Sequence, residues 1–148
     1  MIVILVKERM STTPVTIHPK TRLAEARALL DRHRIRHLPA VEGGKLVGIL
    51  TDRDIRSAAS ASSLEQVTVA EAMTKKVITV SPDTQVQEAA KLMLAHRIGG
   101  LPVLRRGALE GIITETDLLN ALVEIMDHAT VERIAPDYQY RTITVIDL

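Results

Sequence analysis

The chain contains no cysteine, which excludes disulfides, thiolate metal sites and a thiol nucleophile together. Phe and Trp are also missing, and Tyr138 and Tyr140 are the only aromatic residues. A planar ligand must therefore be held by aliphatic side chains and backbone, without the stacked aromatics typical of single-strand nucleic-acid proteins. Neither sign of charge dominates: 19 Lys+Arg stand against 18 Asp+Glu, a formal net charge of +1. Bulk attraction to a nucleic acid has little to act on. No hydrophobic run reaches the length of about 20 residues that a membrane span needs. In the apolar opening, Met1 to Val6, the charge (Lys7-Glu8-Arg9) follows the run, whereas in a signal peptide it precedes it. This segment reads as a buried strand of a soluble protein. The absence of cysteine is compatible with a cytoplasmic setting.

What remains is ordinary globular material, with 46% apolar and 25% charged residues in 148. That length gives room for one domain or for two small units sharing a core. The sequence favours the second arrangement. Slid against itself with Met10 on Met73 and Asp54 on Asp117, it matches without a gap, and about 18 of 46 positions are identical. The pairs include Thr16/Thr79, Pro19/Pro82, Glu25/Glu88, His33/His96, Arg34/Arg97, Pro39/Pro102, Gly48/Gly111 and Thr51/Thr114.

Each copy reads β-α-β-β-α. A short extended stretch (Pro14 to Ile17, Val77 to Val80) precedes a helix over Leu23 to Arg34, or Val86 to Arg97, with apolar residues at helical spacing. Thr84-x-x-Gln87 is expected to cap the second of these helices, while the first has Ala24 in place of the Gln. Two strands follow, Leu38 to Val41 with Leu46 to Leu50 and Leu101 to Leu104 with Leu109 to Ile113. They are joined by turns at Gly43-Gly44 and Gly107, as in a hairpin. Second helices begin near Asp52 and Glu115. The expected organisation is a first repeat with an N-terminal strand over 1–60 and a second with a long final helix over 61–135. A tail over 136–148 holds a strand near Thr142 to Ile146. The terminal strands are expected to pair with each other or with a neighbouring chain.

The motifs Arg34-Ile35-Arg36-His37-Leu38-Pro39 with Gly48-Ile49-Leu50-Thr51-Asp52-Arg53-Asp54 resemble those of the cystathionine-β-synthase (CBS) domain. So do Arg97-Ile98-Gly99-Gly100-Leu101-Pro102 with Gly111-Ile112-Ile113-Thr114-Glu115-Thr116-Asp117. The resemblance covers about Val6 to Leu122. It implies an α+β fold of two CBS repeats related by a pseudo-two-fold axis, a Bateman module, with sheets packed together and helices outside. It further implies a non-catalytic regulatory role. An adenine nucleotide (AMP, ADP or ATP) or S-adenosylmethionine would bind between the repeats. Disc-like homodimers and a regulated protein partner would go with it, the output acting in trans or through the C-terminal tail.

Thr51-x-x-Asp54 and Thr114-x-x-Asp117 are the candidate ribose-binding pairs, since a hydroxyl and a carboxylate one helical turn apart can bond vicinal hydroxyls. The same residues suit a helix cap, and the two roles are compatible. Arg36, His37 and Arg53 stand where nucleotide-binding relatives place phosphate contacts. The resemblance pairs them with Thr114 and Asp117 across the repeats. The second copy has Gly99, Gly100 and Thr116 there, so two unequal clefts are expected. Arg36 and His37 also read as a solvated basic helix end beside Arg32-His33-Arg34. Base recognition would fall to Val15, Ile35, Leu38 and Pro39 in one half and Ile78, Ile98, Leu101 and Pro102 in the other. Most of these suit a core equally well.

His33 and His37, four residues apart, have no local third ligand for a metal. No nucleophile–base set or phosphate loop appears, so no enzyme is expected. A ligand-free dimerisation scaffold is the alternative function. Nucleic-acid binding through residues 32–37 is the weaker one.

Overall fold

The computed structural model describes residues 2–133, with side chains to residue 127. The expected tail strand, Pro136 and both tyrosines lie outside the described residues. Within them, each repeat contributes a helix, a hairpin and a second helix. The first has α1 (Leu23–His33), β1 (His37–Glu42), β2 (Lys45–Thr51) and α2 (Asp52–Ala59). A short α3 (Val69–Ala72) follows, then α4 (Val86–His96), β3 (Gly100–Arg105), β4 (Ala108–Thr114) and α5 (Glu115–Arg133).

The hairpins turn where the backbone can adopt positive φ. Gly43 and Gly44 sit at φ +57° and +76°, and Arg106 and Gly107 at +51° and +81°. Two successive residues of this kind give the turn whose twist matches the flanking strands. Both hairpins carry a register shift at the same place, Ala40/Val41 and Val103/Leu104. The stretches expected as first strands contribute one parallel bridge each, Ile17 to Ala40 and Val80 to Val103. Helices α1 and α4 both end on a left-handed arginine, Arg34 and Arg97. The next N–H reaches back to close the last turn, Ile35 to Leu30 O (3.0 Å) and Ile98 to Met93 O (3.1 Å).

Two expectations fail for one reason. Met1 to Val6 is not a buried strand: Ile2 and Val3 are exposed, Leu5 makes a single bridge to Gln85, and Val6–Glu8 is a 3₁₀ turn. Thr84 does not cap α4 either. The cap residue is Gln85, without a side-chain bond, and Thr84 Oγ1 accepts the Ser81 N–H instead. The first amide of α4 is satisfied by the N-terminal segment, Val86 N–H to Ile4 O at 2.9 Å. The other copy repeats this with Leu23 N–H on Val67 O at 2.9 Å.

The chain therefore exchanges its leading segments. Val6 is fully buried in the second repeat's core with Val80, Ala89, Met93, Leu101, Val103 and Ile113. Val69, its equivalent, is fully buried in the first repeat's core with Leu23, Ala26, Leu30, Leu38, Leu50 and Ile55. Each segment then crosses a strand of that repeat. Ser11 exchanges both backbone bonds with Ile112, and Thr74 with Ile49. The crossings pass over Gly111 and Gly48, where an added Cβ would crowd the segment above. At Gly111 it would meet Ser11 O at 2.4 Å, and at Gly48 it would meet Met73 Sδ at 2.4 Å.

Candidate functional site

Strand pairing decides which groups meet. His37 opens β1 opposite Thr51, the last residue of β2, so the basic residues before β1 and the start of α2 share one end of the sheet. Beside them lies a cleft of about 560 Å³. The first repeat lines it with Arg36, His37, Thr51, Asp52, Arg53, Asp54 and Arg56. The second contributes Lys76, Val77, Ile78, His96, Arg97, Ile98, Gly99, Gly100 and Glu115.

Thr51 and Asp54 form a reciprocal cap. Asp54 N–H donates to Thr51 Oγ1 at 3.1 Å, and Thr51 N–H donates to Asp54 Oδ2 at 2.9 Å. The other carboxylate oxygen, Oδ1, makes no hydrogen bond among the described residues. The second copy differs in detail. Thr114 turns its hydroxyl proton to Asp117 Oδ2 at 3.2 Å while its N–H donates to the same oxygen at 2.8 Å. Neither Thr114 nor Asp117 lines this cleft. The geometry thus places Arg36, His37 and Arg53 beside Thr51 and Asp54 of their own repeat, whereas the resemblance pairs them with Thr114 and Asp117.

The neighbouring Asp52 is held by Arg27 and, at 2.8 Å, by Arg56. The Arg27 hydrogen bond keeps its carboxyl below the usual range. His37 behaves differently. Burial pushes the imidazole below its ordinary value, with Arg36 adding to the effect and Glu115 and Asp54 opposing it. The glycines opposite make this burial possible. A Cβ at Gly100 would stand 2.9 Å from His37 Cδ2, and one at Gly99 would stand 3.4 Å from Cε1 and 3.2 Å from Glu115 Oε1. Arg36-His37 and Gly99-Gly100 are thus partners across the pseudo-dyad, with the ring of one repeat filling the space left by the other.

Among the base-binding candidates, Ile78 and Ile98 line the cleft. Val15 and Ile35 are half-buried against the first core. Leu38 and Leu101 are fully buried core residues, and Pro39 and Pro102 are buried as well. Sequence reasoning missed Lys76, His96, Arg97, Arg56 and Glu115 in this wall. The repeat carried part of the signal, since Arg97 matches Arg34 at the left-handed residue that ends the helix. No local pattern placed Lys76 here, because it arrives on the exchanged segment.

The CBS domain family model matches residues 6–61 and 69–124. The chain belongs to the CBS domain family. The CBS domain-containing protein YhcV of Bacillus subtilis is 35% identical over 114 residues, covering 76% of this chain and 81% of that one. A crystal structure of the CBS domain pair of protein MJ0100, in complex with 5′-methylthioadenosine and S-adenosyl-L-methionine, aligns with TM-score 0.78 and 36% identity. That alignment covers 84% of this chain and 99% of the other. The AcuB protein from Vibrio cholerae aligns with TM-score 0.82 and 31% identity, over 88% of this chain and 99% of its own. Two CBS repeats with antiparallel hairpins thus account for the described fold. None of its helices is long and apolar enough to cross a membrane.

Proposed function

We propose that this CBS pair is a non-catalytic sensor, binding an adenine nucleotide in the cleft beside Thr51 and Asp54 and altering a partner's state in response. The observation that carries the reading is the composition of that one cleft. It sets a hydroxyl–carboxylate pair for a ribose beside Arg36, Arg53, Arg56, Lys76 and Arg97 for phosphates, with Ile78 and Ile98 as an apolar wall. Its volume falls in the range of small-molecule sites, roughly 300–1,000 Å³. The adenosyl ligands in the complex of the MJ0100 pair support the ligand class. The cations favour a phosphorylated ligand over the positively charged S-adenosylmethionine, since like charges in a partly desolvated site repel. Binding switches a partner only by favouring one state, which takes a differential affinity of a few kcal/mol.

Calorimetric titration with ATP, ADP, AMP and S-adenosylmethionine tests the reading. We expect micromolar binding of at least one nucleotide, tighter than that of S-adenosylmethionine. If nothing binds more tightly than about millimolar, roughly 4 kcal/mol, the sensor reading fails. In that event the scaffold reading takes over. It is favoured by the α4–α5 face, where Leu94 is 80% and Leu119 61% exposed. The equivalent positions in the first repeat are the charged Asp31 and Arg56.

A further inference from the structure

We infer that anion binding in this cleft is coupled to proton uptake by His37, so that the site responds to pH together with ligand concentration. This rests on the cleft being an anion site, as proposed above, and adds a form of regulation to it.

The argument starts from where the ring sits. His37 projects between the two repeats against Gly99 and Gly100, close enough that a Cβ at Gly100 would crowd Cδ2. The side chain is half-buried, so its charge state depends on its neighbours as well as on solvent. Three charged groups act on it. Glu115, at the start of α5, and Asp54, in the first turn of α2, favour the imidazolium; Arg36, immediately before it, opposes. Burial outweighs the two carboxylates and holds the ring below its ordinary value, which favours the neutral form near pH 7. Asp52 is already engaged by Arg27 and Arg56. Elsewhere in the walls, α2 adds Arg53, and the second repeat adds Lys76, His96 and Arg97.

A phosphate gathered by these cations changes the balance twice. It places negative charge in the cleft that the ring borders, and it offsets the repulsion from Arg36. Both changes favour the imidazolium, so a proton enters with the ligand, and by linkage a lower pH tightens binding. The second repeat has Gly100 at the matching position, so the response belongs to this cleft alone.

Imidazole NMR on the intact chain tests this directly, following each assigned histidine from pH 5.5 to 8 without ligand, with ATP and with inorganic tripolyphosphate. The His37 midpoint is expected to rise on saturation by either anion, while that of His33, which does not line the cleft, stays in place. A His37 midpoint unchanged by a bound anion overturns the inference and leaves the sensor reading standing. A rise with tripolyphosphate alone, ATP failing to bind, sustains the inference and overturns the nucleotide reading. Failure of both anions to bind overturns both. As a second readout, wild-type affinity for ATP should gain about tenfold between pH 8 and pH 6 relative to His37→Gln, since one coupled proton contributes at most tenfold per pH unit. Equal gains in the two proteins count against the coupling, because the comparison cancels the titration of the nucleotide's own phosphates.

Discussion

Asp54 has two carboxylate oxygens in different situations. Oδ2 accepts the Thr51 N–H and closes the cap of α2, while Oδ1 makes no hydrogen bond among the described residues. Asp54→Asn keeps an acceptor for the cap but removes the charge, so the two roles separate in one variant. Its stability should fall by less than about 1 kcal/mol in a urea melt. Its nucleotide affinity should fall about tenfold or more by calorimetry, the scale of a charge-assisted hydrogen bond. Loss of stability without loss of binding would make Asp54 a cap only. His37 leaves its own mark on the unliganded protein. Its folded value lies below the ordinary 6.5, so the unfolded chain takes up a proton first as the pH falls. Stability is therefore full above about pH 6.5 and declines below it, down to the folded value. Thermal melts between pH 5 and 7.5 should show a shallower decline in His37→Gln than in wild type.

At the scale of elements, the two repeats solve the same problems with the same backbone and different side chains. On the helix face beside the cleft, the first repeat closes α1 against α2 with Arg27, Asp31, Asp52 and Arg56. The second has Ala90, Leu94, Glu115 and Leu119 at those positions and leaves leucines exposed. The strand crossings differ more subtly. A methyl group at Gly111 would run into the carbonyl of Ser11, a residue held by two backbone bonds to Ile112. At Gly48 the nearest atoms belong to the flexible side chain of Met73. Gly111→Ala should therefore cost about 2–3 kcal/mol and Gly48→Ala distinctly less, measured as the shift in urea midpoint. Equal costs would mean that the segment over Gly111 is not fixed as described.

The whole molecule is bound together by exchange. Val6 completes the core of the second repeat and Val69 that of the first, so neither repeat owns all of its interior. Unfolding should therefore be a single transition. Val6→Ala and Val69→Ala should each lower that one transition, by about 1–3 kcal/mol, although they lie in different cores. Two resolved transitions, each sensitive to one substitution, would refute the coupling. Legible from the residues alone were the duplication, the hairpin turns, the helix cap at Thr51-x-x-Asp54 and the buried face of the first helix. All of these rest on local periodicity and on residue types with few alternatives, such as Gly43-Gly44 at a two-residue turn. The sequence did not determine where Val6 and Val69 are buried, or why Thr84 needs no capping partner. Each segment docks through distant backbone groups, Val6 N–H on Thr84 O and Val69 N–H on Thr21 O, which carry no side-chain signature. Nor did it place Lys76 and Arg97 beside Arg36, or His37 against Gly99-Gly100. The composition of the cleft was settled by the packing of one repeat on the other, because only there do side chains about 60 residues apart come to line one space.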